Sequence, residues 1–129
     1  MQTDDSAPQR VLVVEDEPPV RRAAERILQK AGYQVVSASS GEEAIQLVER
    51  LAGGFDILLT DIVMPSMNGK ELAERLMASK PSLKVLYMSG YTSNAIVHQG
   101  VLDPGVAFVH KPFTPEALLL RIREVLDGE

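Results

Sequence analysis

Cysteine and tryptophan are both absent from this chain of 129 residues. Without cysteine the protein has no disulfide, no thiolate metal ligand and no thiol nucleophile, and nothing in its composition argues for secretion. No apolar run approaches the roughly 20 residues that a membrane-spanning helix needs. The N-terminal stretch MQTDDSAPQR also lacks the basic-then-apolar order of a signal peptide. We therefore expect a cytoplasmic protein.

Basic residues are outnumbered: 13 lysines and arginines face 18 aspartates and glutamates, for a net charge of −5. Sequence-independent nucleic-acid binding needs a basic face, so direct contact with nucleic acid is not expected. The hydrophobic fraction of 45% is enough for one core, and the length fits one domain. We expect residues 1–9 to be a flexible tail or linker and residues 10–129 to form the domain.

Short apolar runs alternate with amphipathic stretches along the chain. Strands are predicted at residues 11–14, 33–39, 56–60, 84–88 and 107–110. Apolar residues at helical spacing follow them at 20–31, 44–51, 72–77, 94–99 and from Thr114 onward. This alternation is typical of a parallel sheet covered by helices on both faces. The length favours the α/β flavodoxin-like doubly wound fold, (βα)5, with five parallel strands in the order 2-1-3-4-5.

Two helix starts are marked by their residues. Ser40 and Glu43 have the spacing of a capping box. Thr114 is predicted as an N-cap, because Pro115 after it suits the first position of a helix.

Polar residues follow the predicted strands at their carboxyl ends, where ligands bind in folds of this type. Glu15 and Asp16 follow the first strand, and Asp61 follows the third. Ser89 follows the fourth strand and Lys111 the fifth. We therefore expect these five side chains to converge on one edge of the sheet.

Three carboxylates at close range repel one another, and a divalent cation relieves that repulsion. Ligands that are all oxygen favour magnesium over zinc. With the Lys111 ammonium and the Ser89 hydroxyl, the group suits in-line phosphoryl transfer onto Asp61. Taken alone, Asp61 would instead be interpreted as a helix N-cap or an ordinary loop acid.

The segments VLVVEDE, LLTDIVMPSMNG, VLYMSGYT and FVHKPF resemble, in order, the motifs of the response-regulator receiver domain of two-component signalling. The sequence is similar to that of receivers at the C-terminus of hybrid sensor histidine kinases. The resemblance assigns residues 10–129 to the receiver domain. It also implies a phosphoacceptor signalling role, with a histidine kinase or histidine phosphotransfer domain as partner and a phosphorylation-dependent homodimer.

The resemblance also implies roles for single residues. Asp61 is the expected phosphoacceptor, and Ser89 and Lys111 are expected to contact the phosphoryl group. The expected magnesium ligands are Asp16 directly, Glu15 largely through water, Asp61, and the backbone carbonyl of Val63. The family also implies a cis bond before Pro112 and an aromatic switch residue, here Phe108.

Two residues depart from the family pattern. The acidic pair is Glu15–Asp16 rather than the commoner Asp–Asp, which makes one arm a methylene longer. The switch residue Phe108 replaces the usual tyrosine and has no hydroxyl to donate.

Two other functions fit parts of the sequence. A magnesium-dependent phosphohydrolase with an aspartyl nucleophile needs a second acid two residues after the nucleophile, where this chain has Val63. A flavin-binding electron carrier needs a phosphate-binding loop after the first strand, where Glu15, Asp16 and Glu17 would repel phosphate. The sequence favours the receiver over both.

Overall fold

The computed structural model describes residues 9–50, 54–90 and 106–128. The strands are β1 (Arg10–Val14), β2 (Gln34–Ala38), β3 (Ile57–Asp61), β4 (Lys84–Ser89) and β5 (Phe108–His110). The helices within the described residues are α1 (Pro18–Lys30), α2 (Gly41–Arg50), α3 (Gly69–Ser79) and α4 (Pro115–Leu126). None of these helices is long and apolar enough to cross a membrane. The predicted helix at 94–99 and residues 1–8 of the predicted tail lie outside the described residues.

The five strands are parallel and form one sheet in the order β2-β1-β3-β4-β5. The predicted fold is thereby confirmed. β3 and β4 each extend one residue beyond their predicted ends, because the pairings Asp61↔Met88 and Ser89↔His110 continue the ladder into polar residues.

The sheet is buried on both faces, and β1 shows how the sequence achieves this. Val11 and Val13 belong to a core shared with the apolar residues of α1 and α4. Leu12 and Val14 belong to the opposite core, shared with α2 and α3. All four are fully buried. A run of apolar residues without polar alternation is what a strand covered on both faces requires.

The predicted helix starts are present. The Thr114 hydroxyl accepts a hydrogen bond of 3.0 Å from the backbone N–H of Ala117. At α2 the Ser40 hydroxyl accepts from the Glu43 N–H, while the Glu43 carboxylate accepts from the Ser39 N–H and hydroxyl. These bonds from Ser39 hold the pKa of Glu43 below its usual value. Each capped end satisfies N–H groups that would otherwise lack partners.

Helix α3 has a complete capping box that the sequence analysis did not predict. The Asn68 side chain accepts from the Glu71 N–H at 2.8 Å, and the Glu71 carboxylate accepts from the Asn68 N–H at 3.0 Å. This box fixes the point at which the chain leaving β3 enters the helix.

Gly69, the first residue of α3, brings the helix against the end of β3. Its N–H donates to the carbonyl of Ile62 at 2.8 Å. A Cβ at this position would lie 2.2 Å from the backbone oxygen of Asp61. Only glycine therefore allows this close approach, and the approach fixes the backbone that carries the Asp61 side chain.

Replacing Gly69 with alanine should destabilise the protein, because the added methyl group would displace the Asp61 carbonyl. We expect a loss of about 1–3 kcal/mol in the free energy of unfolding, the usual range for overpacking. Urea denaturation of the metal-free protein measures the loss. Gly90→Ala is the matched control, because a Cβ there meets nothing within 4 Å. Equal stability of the two variants would contradict the assigned clash.

Candidate functional site

The predicted polar residues meet at the carboxyl edge of the sheet. Asp61 and Ser89 are the last residues of β3 and β4, and Lys111 directly follows β5. A surface pocket of about 310 Å³ opens at this edge. It is lined by Glu17, Asp61, Ile62, Val63, Ser89, Gly90 and Lys111.

Lys111 connects two of the three acids. Its Nζ lies 3.0 Å from Oε1 of Glu15 and 3.2 Å from Oδ1 of Asp61. The backbone N–H of Lys111 donates to the Ser89 carbonyl at 2.8 Å, so pairing along the sheet edge determines where this side chain starts. The bond between Lys111 and Pro112 is cis, as the family resemblance implied.

Glu15 is fully buried, and each of its polar groups has a partner. Oε1 receives Lys111, and Oε2 accepts from the Glu17 N–H at 3.1 Å. Its backbone N–H donates to the Ala38 carbonyl at 3.1 Å. Its own carbonyl accepts from Nη1 of Arg21 at 2.8 Å. Glu15 is thus held by four parts of the chain: β2, α1, the turn before α1 and the residue after β5.

The three acids form the predicted cluster. One carboxylate oxygen from each of Glu15, Asp16 and Asp61 lies within 4.8 Å of the others. Glu15 and Asp61 are buried, and Asp16 lies nearer the solvent. A donor set made only of oxygens, carrying three formal negative charges against one lysine, fits a hard divalent cation such as Mg²⁺.

Burial controls the protonation of this cluster. Burial raises the pKa of Glu15 to about 6, although the Glu17 N–H and Lys111 oppose the rise. The pKa of Asp61 is also raised by burial, against the effect of Lys111 and with a further rise from Asp16. Burial alone would lower the pKa of Lys111, but its contacts with Glu15 and Asp61 outweigh that effect and raise it. Lys111 therefore stays protonated, whereas burial makes the charged forms of Glu15 and Asp61 less favourable.

Other predicted residues occupy the same edge. Ser89 is buried, with 2% of its surface exposed, and lines the pocket beside Asp61. Val63 also lines the pocket, and its side chain is 59% exposed. Phe108 lies at the first position of β5, and its ring makes an edge-to-face contact with His110 at a centroid distance of 5.2 Å.

Sequence reasoning missed two residues near the site. Glu17 was given no role in the site, yet this exposed residue is the N-cap of α1 and lines the pocket. Arg21 carried no signal, because an arginine on an amphipathic helix is ordinarily a surface residue. Only its contact with the Glu15 carbonyl gives it a place in the site.

Comparisons with known proteins converge on one family. A profile described as the response regulator receiver domain matches residues 11–123. The chain is 39% identical over 127 residues to the sensor kinase CckA of Brucella abortus, covering 98% of this chain but 13% of that protein. It is 34% identical to the response regulator receiver protein CpdR of the same species, covering 91% of this chain and 96% of that one.

A solved structure shows the same likeness in three dimensions. The receiver domain from the hybrid histidine kinase CckA superposes with a TM-score of 0.75 at 35% sequence identity. The superposition covers 91% of this chain and 98% of that domain.

The metal-free protein should become more stable relative to a Glu15→Gln variant as the pH falls. The folded-state pKa of Glu15, about 6, lies above its ordinary value of 4.5, so the folded state binds the proton more tightly. The resulting stabilisation is fully present below the lower value and is lost as the pH rises through about 6. Linkage gives roughly 1–2 kcal/mol between about pH 7.5 and about pH 5.

Urea unfolding of both proteins across this pH range measures the effect as a difference, so that acids elsewhere in the chain cancel. Asp61 remains in both proteins, but its charge also raises the pKa of Glu15, so the difference reports Glu15 together with its interaction with Asp61. If the parent protein lost stability relative to Glu15→Gln on acidification, burial of the charged Glu15 carboxylate would not be unfavourable, contrary to its raised pKa.

Proposed function

The chain belongs to the response regulator receiver domain family, and we propose that its Asp61 accepts a phosphoryl group in the presence of Mg²⁺ and that this acceptance switches the conformation of the domain. The donor is a histidine kinase or a histidine phosphotransfer domain. Receiver domains are signalling domains rather than enzymes acting on a separate substrate. The catalysis that we propose is transfer of the phosphoryl group onto the chain's own Asp61.

The pairing of Lys111 with Asp61 carries the proposal. The ammonium lies 3.2 Å from Oδ1 of the carboxylate that would be phosphorylated, beside a pocket open to solvent. In the transfer, an Asp61 oxygen forms a new bond to phosphorus while the phosphorus–nitrogen bond to the donor histidine breaks. The bonding electron pair stays on the imidazole nitrogen. Lys111 and the hydroxyl of Ser89 would stabilise charge on the phosphoryl oxygens.

The acidic cluster supports a magnesium site made by this chain's own oxygens. Asp16, Asp61 and the backbone carbonyl of Val63 would hold the ion directly. Glu15 would act through water, because Lys111 and the Glu17 N–H already occupy its two carboxylate oxygens. When bound, the ion supplies positive charge that offsets both the clustered carboxylates and the incoming phosphoryl group.

The conformational part of the proposal involves Ser89 and Phe108. A phosphoryl group on Asp61 would draw the Ser89 hydroxyl toward it, and the ring of Phe108 would move into the space vacated. Because the ring of Phe108 is in edge-to-face contact with His110, this movement would alter the surface formed by β5 and α4. A ligand of this kind shifts the population between conformers that already exist.

The proposed setting of the domain follows from its relatives. The likeness to CckA supports a receiver attached to a hybrid histidine kinase in the cytoplasm, whereas CpdR shows that a similar receiver also makes up almost a whole protein. The chain spans 13% of the CckA relative, so kinase activity is not carried over to it. We propose no direct contact with nucleic acid or membrane. A phosphorylation-dependent homodimer is the proposed self-association.

The rival phosphohydrolase is not favoured. It needs an acid two residues after Asp61 to protonate the leaving group and activate water, and Val63 has neither ability.

Phosphorylation of Asp61 is tested with Mg²⁺ and a small acyl phosphate. Intact-mass measurement should show one added phosphoryl group on the parent protein and none on Asp61→Asn, because the amide is not a nucleophile for phosphorus. The control is Asp127→Asn, which removes an exposed carboxylate at the end of α4. An equal mass increase in Asp61→Asn would place the modification elsewhere.

Magnesium should raise the melting temperature of the protein, because a ligand that binds only the folded state stabilises it. At 100 times the dissociation constant the gain is about 2.7 kcal/mol. Asp61→Asn should melt at a higher temperature than the parent without metal, since it removes a buried charge, and should gain less from magnesium. Scanning calorimetry with sodium chloride at matched ionic strength measures both effects. No rise in either experiment would show that the carboxylates do not hold a cation.

A further inference from the structure

Arg21 contacts the peptide that joins two acids of the site. It lies near the start of α1 and is half-buried, and its Nη1 donates to the backbone oxygen of Glu15 at 2.8 Å. That oxygen belongs to the peptide between Glu15 and Asp16. Rotation of this peptide would change the direction in which the Asp16 carboxylate points.

The other contacts of Glu15 leave this peptide for Arg21 to hold. The backbone N–H of Glu15 bonds to β2, and its carboxylate bonds to Lys111 and to the Glu17 N–H. These contacts fix the residue up to its Cα and along its side chain. Among the residues that the structure describes, Arg21 is the one whose bond fixes the Glu15 carbonyl.

Arg21 is itself held in place. Its backbone N–H donates to the Glu17 carbonyl at 3.0 Å in the first turn of α1. Its guanidinium is close enough to Glu43 in α2 to help lower the pKa of that carboxyl, after the two larger contributions from Ser39. The side chain therefore spans from α1 across the acidic turn toward α2.

We propose that Arg21 is a positioning residue for the cation site, orienting Asp16 by fixing the Glu15–Asp16 peptide. The inference rests on the proposed function, since the cation is the Mg²⁺ proposed above. It adds a residue that acts through the backbone and contacts neither the ion nor the phosphoryl group.

Charge and position make opposite predictions for this residue. An arginine near three carboxylates repels an incoming cation, so loss of its charge alone would tighten magnesium binding. Loss of an orienting contact would weaken binding, because contacts that orient metal ligands are typically worth about 10-fold or more in affinity. The sign of the change in affinity therefore distinguishes the two roles.

The test compares Arg21→Met with Arg22→Met. Both variants keep an unbranched side chain and lose one positive charge, but Arg22 is exposed on the next position of α1. Magnesium affinity is measured by calorimetry on metal-free protein, at a temperature where circular dichroism shows each variant to be folded. We expect about 10-fold weaker binding in Arg21→Met, no weakening in Arg22→Met, and recovery of most of the affinity in Arg21→Lys, which keeps a donor and the charge.

A second readout does not involve the metal. In the metal-free protein, Arg21→Met should change the carbonyl and amide chemical shifts of Glu15 and Asp16, while Arg22→Met should leave them in place. Equal or tighter magnesium binding in Arg21→Met than in Arg22→Met would overturn the positioning role and leave the proposed function standing. A parent protein that binds no magnesium would overturn both.

Discussion

The ammonium of Lys111 among buried carboxylates is the interaction on which the site depends. Glu15 is fully buried and Asp61 is 7% exposed, and a buried charge without a partner costs several kcal/mol. Lys111 lies within 3.2 Å of both. Since the three residues belong to distant parts of the sequence, the strand order must bring β1, β3 and the end of β5 to one edge. The parallel sheet therefore assembles the site as well as the core.

One ammonium does not balance three carboxylates. The raised pKa values of Glu15 and Asp61 show that burial outweighs the help from Lys111, so the metal-free fold carries an electrostatic cost. A core without these acids would avoid the cost but could not bind a cation. Such a trade of stability for a functional site is common in proteins. Here it also implies that binding of the proposed cation would be coupled to folding stability.

The fold and the edge of the site could be predicted because both depend on strong local patterns. Continuous apolar runs mark buried strands, and the first polar residue after each run, such as Asp61 or Lys111, must lie at the carboxyl edge. The role of Arg21 could not be predicted, because it depends on the direction of one side chain across the turn before α1. The need for glycine at position 69 could not be predicted either, because it comes from the nearby Asp61 carbonyl, which no sequence pattern reveals.

The backbone around the acids is held from both faces of the sheet. On one side Gly69 of α3 bonds to Ile62 beside Asp61, and on the other Arg21 of α1 bonds to Glu15 beside Asp16. Both contacts end on a backbone oxygen and occupy neither the Asp16 nor the Asp61 carboxylate, although Lys111 lies 3.2 Å from Oδ1 of Asp61. Glu15 differs, because Lys111 and the Glu17 N–H take its two carboxylate oxygens. Its longer side chain brings one buried carboxylate to both partners, so in this Glu–Asp pair the glutamate holds the lysine and Asp16 remains for the proposed cation.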